Sequence, residues 1–499
     1  MKIGGLDIGS TGCKLTVFDD SGIQLGQAYR DYPVKRQLSS HEIDISAIMD
    51  SVRAVTREMA DQFPDLTGIG VTSFGETFVM ADENGEPLRP AMMYTDPRGE
   101  EECRELCDRL GRQTVAHVTG LNPHQMYSVS KIMWIRKNEP EIYARTRYIF
   151  LIEDYIVWQL TGRRQIDYSL ATRTMAFDIH TLNWSSEIFA AAGIDTGMMS
   201  TPVPIGTSAG NVTAEAAART GLSVNCQIIS ACHDQVAAAV GAGAFDGSIA
   251  VDGAGTTECL IPIYDTLPDI QIMLDGNFSI VPYAVSGKYV TYAFNYTGGA
   301  LIQWCIDTFA RKEKDEAAAR GVSVYTILES KYPDEGPTGI LVLPHFAGAA
   351  TPYMDSGAKG AIIGLRTETS LAEIYRACME GVVYEMKVNY DALRDSGIHF
   401  TTVHATGGGA RSRVWMQMKA DILNLPVVCM EVSHAGTVGC AMLTGMAAGA
   451  YRDLKDAADH MIRKGEVFLP CSEMHEKYME IYKRYQKVYG AVRPLVQEG

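Results

Sequence analysis

Residues 7–14 read Asp-Ile-Gly-Ser-Thr-Gly-Cys-Lys and set a carboxylate, two hydroxyls and an ammonium around a two-glycine turn. Such a set suits a metal-bound polyphosphate. Gly9 and Gly12 permit positive φ and close backbone approach. Backbone N–H groups and the hydroxyls of Ser10 and Thr11 can cradle oxygens, Lys14 adds charge, and Asp7 can hold a hydrated Mg²⁺. The stretch is not a Walker loop, because the Gly-Lys-Ser/Thr spacing is missing. Taken alone, it is equally an ordinary β-hairpin with a polar turn. A second copy changes that balance. Residues 252–258, Asp-Gly-Ala-Gly-Thr-Thr-Glu, again end an apolar run on an acid and follow it with a Gly/Thr turn. Gly255, Thr256 and Thr257 are its phosphate candidates. A third element, residues 403–412, reads Val-His-Ala-Thr-Gly-Gly-Gly-Ala-Arg-Ser. Gly407, Gly408, Gly409, Ala410 and Ser412 stand there between a strand and a helix N-terminus, where a nucleotide can lie flat against backbone.

These groups need strands and helices to hold them. Ile3 and Leu6 lead into the first turn, and Leu15, Val17 and Phe18 lead away, which is strand, tight turn, strand. Two such hairpins imply two related halves facing one ligand. The spacing predicts a helix over 43–63 and a short buried strand over 68–72, which opens into Ser73-Phe-Gly-Glu-Thr77. Strand ends that open into polar loops are where α/β sheets bind ligands. Glu76 is either a hydroxyl acceptor there or a solvated loop residue. A strand over 227–231 leads to Cys232-His-Asp-Gln235, and a helix starts near Val236. Asp234 therefore sits beside a helix N-terminus, whose dipole favours the ionised form. In residues 295–304, Thr297 is the expected N-cap, and Gly298 and Gly299 let the turn approach phosphate. Gly241-x-Gly243 lies inside a helix, not before one, so a dinucleotide motif is a poor reading of it.

The 499 residues are enough for two large domains, and 46% hydrophobic with 21% charged is ordinary for a globular chain. A net charge of −16 speaks against nucleic acid or an anionic membrane as partner. No apolar run approaches the ~20 residues that span a bilayer. The N-terminus enters a strand at once, so no signal peptide is expected. The 11 cysteines are scattered, without Cys-x-x-Cys, which fits reduced thiols in a cytoplasmic protein.

Taken together, the two hairpins resemble the sugar kinase, Hsp70 and actin superfamily, in which each domain lends one phosphate hairpin. Size and motifs make the chain similar to the FGGY carbohydrate kinases. Residues 126–138, Met-Tyr-Ser-Val-Ser-Lys-Ile-Met-Trp-Ile-Arg-Lys-Asn, fit the first family signature, and residues 360–380 resemble the second, with a departure at Cys378. Tyr94-Thr-Asp-Pro-Arg98 resembles the family's Trp-x-Asp-x-Arg. Residues 167–175 resemble a small-residue segment to which no catalytic role is given. The resemblance implies an α/β fold of two ribonuclease-H-like domains around a cleft, 1–246 for the sugar and 247–499 for the nucleotide. It implies ATP as cosubstrate with Mg²⁺ held through water by Asp7, and Asp234 as the base that accepts the sugar hydroxyl's proton. It implies acceptor contacts at Phe74, Gly75, Glu76, Asp96, Met126, Asp234 and Gln235. Phosphate contacts would come from Ser10, Thr11, Lys14, Gly255, Thr256, Thr257, Gly298 and Gly299, and the adenosine site from residues 407–410 and Ser412. Glycerol kinases of the family carry Arg where this chain has Gly75, and glycine is usual where it has His233. Those departures point to a ketose such as xylulose, with a polyol or sugar acid as the alternative. The partners implied are sugar and ATP, compatible with a homodimer. A nucleotide-switched protein of the actin type and a silent sugar-binding regulator are the rival classes.

Overall fold

The computed structural model describes residues 1–37, 39–332, 336–431 and 434–496. The chain forms two compact units. The first comprises Met1–Phe245, Ser279–Val290 and His434–Ile462, and the second Asp246–Phe278, Thr291–Ser433 and Arg463–Gly499. The expected boundary at 246/247 lies one residue from the first switch, but the units are not contiguous halves.

The return of 434–462 to the first unit has a packing cause. The helix Ala435–Ala447 lies on the sheet and on the helix Asp234–Gly241 with almost no side chain between them. A Cβ on Gly241 would fall 1.9 Å from the Ala435 carbonyl oxygen, and one on Gly439 would fall 2.0 Å from that of Ala237. Gly241 therefore serves helix packing. The Thr444 hydroxyl, on the same helix, donates to the Gly4 carbonyl at 3.1 Å.

The first unit is built on β1 (Lys2–Ile8), β2 (Gly12–Asp19), β3 (Gln24–Asp31), β4 (Gly68–Ser73), β5 (Thr207–Asn211) and β6 (Gln227–His233). They lie in the order β3-β2-β1-β4-β6-β5. The pairs along it run antiparallel, antiparallel, parallel, parallel, antiparallel. Strands β1 and β4 are buried almost throughout, as strands of a parallel core are.

The second unit repeats this plan with β7 (Ile249–Ala254), β8 (Glu258–Tyr264), β9 (Ala293–Asn295), β10 (Thr402–Thr406), β11 (Val427–Met430) and β12 (Lys464–Phe468). The order is β9-β8-β7-β10-β11-β12, with the same succession of pairings. The duplication suggested by two hairpins thus extends through four strands of each sheet, while the antiparallel edge strand precedes its neighbour in the chain in the first unit and follows it in the second. In each, the hairpin joins the first two strands, and parallel strands bring further loops to the same end. Among the described residues no helix is long and apolar enough to cross a membrane.

Candidate active site

In the first unit, β1, β4 and β6 end side by side. Ile8 pairs with Ser73, and Ser73 with His233. Strand neighbours lie ~4.8 Å apart, so this register gathers Asp7, Glu76 and Asp234 at one sheet end. Asp7 faces Lys14 across the hairpin. Neither Gly9 nor Gly12 adopts positive φ. Gly12 is needed for clearance, because a Cβ there would meet the Tyr29 hydroxyl at 2.4 Å. Ser10 is half-buried and Thr11 exposed, so both hydroxyls are open to a ligand. Lys14 Nζ donates to His434 Nδ1 at 3.0 Å. Burial and the Lys14 charge hold His434 below its ordinary pKa, so it accepts as a neutral imidazole.

Asp234 is the first residue of its helix, with its side chain 29% exposed. The dipole argument for an easily ionised carboxylate is outweighed. Burial, then the carboxylates of Asp7 and Glu76, push Asp234 up to about 7, and bonds from Gln235 offset this only in part. His233 Nε2 lies 3.3 Å from Asp234 Oδ1. Burial and Arg173 keep His233 far below its usual pKa, so it is a neutral neighbour and not a second base.

Glu76 is buried and adopts φ +65°. Such a conformation costs a non-glycine residue about 1–3 kcal/mol and persists only where surroundings enforce it. Here the Ser128 hydroxyl donates to the Glu76 carbonyl at 2.7 Å, and Arg173 Nε donates to Glu76 Oε1 at 2.6 Å. The solvated-loop reading of Glu76 does not hold. Gly75 has no room for a side chain: a Cβ would lie 2.8 Å from Arg173 Cγ and 3.2 Å from His233 Cδ2. Phe74 turns into the hydrophobic core, and its N–H donates to the Ile8 carbonyl at 3.1 Å. Its contribution is to join two strand ends.

Asp96 is buried, with both oxygens engaged by Arg98 and by the N–H of His41. Burial alone would raise its pKa, but these bonds hold it below the ordinary value. It braces a loop. Lys131, inside the signature helix Ser128–Asn138, donates to the carbonyls of Asp96 and Gln125 at 3.0 and 2.6 Å. Desolvation lowers Lys131 to about 8. The signature therefore anchors the loops that carry Asp96 and the half-buried Met126.

In the second unit, Gly255, Thr256 and Thr257 are exposed at the tip joining β7 to β8. The helix Gly299–Phe309 begins against this tip. The N–H groups of Gly298 and Gly299 donate to the carbonyls of Thr256 and Gly255 at 2.9 and 2.8 Å. These glycines brace the hairpin; their donors are not open to phosphate. Thr297 does not cap the helix, since its hydroxyl donates to the Pro344 carbonyl. The loop after β10 divides its labour. A Cβ on Gly407, at φ +87°, would lie 2.6 Å from the Ala254 carbonyl oxygen, and one on Gly409 would lie 2.9 Å from the Trp415 ring. A Cβ on Gly408 would meet nothing within 4 Å. The Ala410 carbonyl lies 3.5 Å from Cys429 Sγ. Ser412 caps the helix Arg413–Leu423 and donates to Glu329 Oε1 at 3.0 Å.

With this geometry, comparison with known proteins is informative. Residues 2–241 match the N-terminal domain of the FGGY family of carbohydrate kinases, and residues 253–448 match its C-terminal domain. The chain belongs to that family. A glycerol kinase of Halorhodospira halophila is 30% identical over 97% of this chain and 94% of its own length. A xylulose kinase of Bacillus subtilis is 24% identical over 98% and 97%. The crystal structure of xylulose kinase from Rhodospirillum rubrum superposes with a TM-score of 0.89 at 26% identity, covering both chains in full. As an FGGY kinase, the protein is a phosphotransferase with an alcohol group as acceptor.

Three residues of this FGGY kinase escape a reading of its sequence. Arg173, Ser169 and His434 meet the site only through the fold. The segment around 167–175 is not mere packing. Asp167 caps the helix Tyr168–Thr172 and accepts the Ser169 hydroxyl, and Ser169 Oγ in turn accepts the His233 N–H at 2.9 Å. Arg173 follows the same helix and holds Glu76. One short element thus fixes the backbone beside Asp234 and the carboxylate of Glu76. The signal available in sequence was Gly75 itself, an absent side chain whose space another residue fills.

The chemistry at Asp7 fits a divalent cation. Among the described residues its carboxylate makes no hydrogen bond, and burial raises its pKa despite Lys14. Among the described residues no cluster of three or more His, Cys, Asp or Glu could hold a metal. A cation at Asp7 would therefore draw its other ligands from water and the nucleotide.

Proposed function

We propose that this kinase transfers the γ-phosphate of ATP to a hydroxyl of a neutral ketose of about the size of xylulose. The observation that carries the reading is Asp234, a carboxylate raised to about 7 at the end of β6, flanked by Asp7 and Glu76. A base poised near neutral pH accepts a hydroxyl proton most effectively there. Glu76 and Gln235 orient the acceptor, with Met126 over it and the Asp96 loop as frame. The Ser10 and Thr11 hydroxyls and Lys14 are the phosphate contacts of the first unit, and Gly255, Thr256 and Thr257 are those of the second, each taken by itself. Adenosine lies against Gly408, with Gly407, Gly409, Ala410 and Ser412 shaping the loop beneath it. Asp7 would hold Mg²⁺, which when bound would supply charge neutralisation on the phosphates. Phosphoryl transfer asks mainly for positioning and electrostatics, which these groups provide.

The relative named glycerol kinase favours a polyol as the second reading. Gly75, with no side chain to offer a small triol, weighs against it. Measuring ADP release over pentuloses, hexuloses, polyols and aldonates decides. The reading expects the highest kcat/KM on a ketopentose. A best substrate among the polyols would replace it, and sugar binding without ADP release would make the protein a silent regulator.

A further inference from the structure

The acceptor region holds its charges in an unusual balance. Glu76 and Arg173 are both buried, at 5% and 6% exposure, and the arginine contacts the carboxylate through Nε and a terminal nitrogen. The guanidinium also lies 5.2 Å from the centre of the Tyr127 ring. Gly75 leaves the space through which the Arg173 stem passes. Arg173 is delivered from a helix whose Ser169 is bonded to the backbone at His233, so it cannot be repositioned without disturbing the residue beside Asp234. Beyond Glu76 stand two further carboxylates, since Asp7 and Glu76 both lie close enough to Asp234 to raise it.

We propose that the Glu76–Arg173 pair is the charge selector of this kinase. With Glu76 paired, the guanidinium charge is spent, and a neutral polyhydroxy acceptor meets a balanced donor and acceptor. A sugar acid would bring a further carboxylate among three others, with the arginine already engaged. Removing the Glu76 charge would leave Arg173 to pair with a ligand carboxylate, for which a guanidinium is well shaped. The inference rests on the reading of Glu76 as an acceptor contact. It goes beyond that reading by assigning specificity to Arg173 and predicting which substrate class is refused.

The test uses the full-length enzyme and acceptor pairs matched in carbon number, a ketose or polyol against the aldonate. The wild type should show kcat/KM, by ADP release, at least about a hundredfold higher for the neutral member. Glu76→Gln should shrink that ratio by about 10- to 100-fold, as expected for one buried charge-assisted bond gained and one lost. Adding Arg173→Gln to Glu76→Gln should return the aldonate to background. A wild type that prefers the aldonate overturns the proposal, as does a folded Glu76→Gln enzyme with an unchanged ratio. Should Glu76→Gln not fold, the wild-type ratio and aldonate inhibition constants still decide, since weak inhibition is required. If no acceptor yields ADP, the kinase reading fails separately. Calorimetric binding of the neutral and acidic members to the wild type then tests the selector on its own.

Discussion

The two Gly/Thr hairpins have the same place in two sheets whose first four strands share one order and pairing, yet their acidic residues lead different lives. Asp7 faces Lys14 across its hairpin, its carboxylate makes no hydrogen bond among the described residues, and it lies near enough to Asp234 to shift it. Asp252 faces Leu260. Its lysine comes instead from the helix Arg413–Leu423: Lys419, wholly buried, bonds both Asp252 and Glu258 and lies 4.8 Å from the centre of the Trp415 ring. Burial and Asp252 push Glu258 up, and the two carboxylates keep Lys419 above its ordinary pKa despite its burial. A duplicated position is left without a hydrogen-bond partner for its carboxylate, among the described residues, in one unit and closed into an ion cluster in the other. Sequence similarity between hairpins therefore does not carry similarity of role.

The largest expected effects separate the two acids. Asp7→Asn should lower kcat by at least about a hundredfold, since metal charge stabilisation is worth several kcal/mol, and leave the melting temperature nearly unchanged. Lys419→Met strands two buried carboxylates. Breaking such a cluster costs about 3–5 kcal/mol and should lower melting by roughly 6–20 °C. Scanning calorimetry with kinetics on both variants reads the contrast. If Asp7→Asn melts early and stays active, the comparison is reversed.

A second contrast lies within the triple glycine. Gly408→Val has room in the protein and should fold. It would crowd adenosine by about 1–3 kcal/mol, raising the ATP KM while sparing that for sugar. Gly407→Ala strains a positive-φ position against the Ala254 backbone and should lose stability first. Equal ATP KM values for wild type and Gly408→Val would move the adenosine site elsewhere.

Ser169→Ala is gentler. It removes the bond from the His233 N–H, worth about 0.5–1.5 kcal/mol, and the bond the hydroxyl donates to Asp167. It should lower kcat by roughly two- to tenfold with little change in ATP KM. A loss confined to stability would make Ser169 a packing residue only.

Much of this was legible in the chain. The hairpins, the strand before Asp234 and the signature at 126–138 stood out because local chemistry and period agree there. Local signals of the same kind mark a helix over 153–161 ended by Gly162, and the helix is Ile152–Thr161 with Gly162 at φ 74°. What stayed hidden depends on distance in sequence. Arg173 reaches Glu76 across 97 residues, Lys419 reaches Asp252 across 167, and Lys14 reaches His434 across 420. No periodicity reports such meetings. The glycines misled for a related reason. Gly298 and Gly299 read as glycines that let a turn approach phosphate, whereas the fold uses them where two backbones meet.

The central claim is that Asp234 is the base. Because burial and its acidic neighbours raise it to about 7, the ionised form is depleted below that pH. The wild-type kcat/KM should therefore fall as pH drops through about 7, by about tenfold per unit at the acid end, and level off above. Asp234→Asn keeps the shape and caps a helix about as well, but cannot take a proton. Measured on one purified preparation, it should lower kcat by about 10²–10⁴-fold, erase the acid limb, and leave melting and ATP binding intact. An Asn variant that retains most of its kcat and the same acid limb would contradict the account.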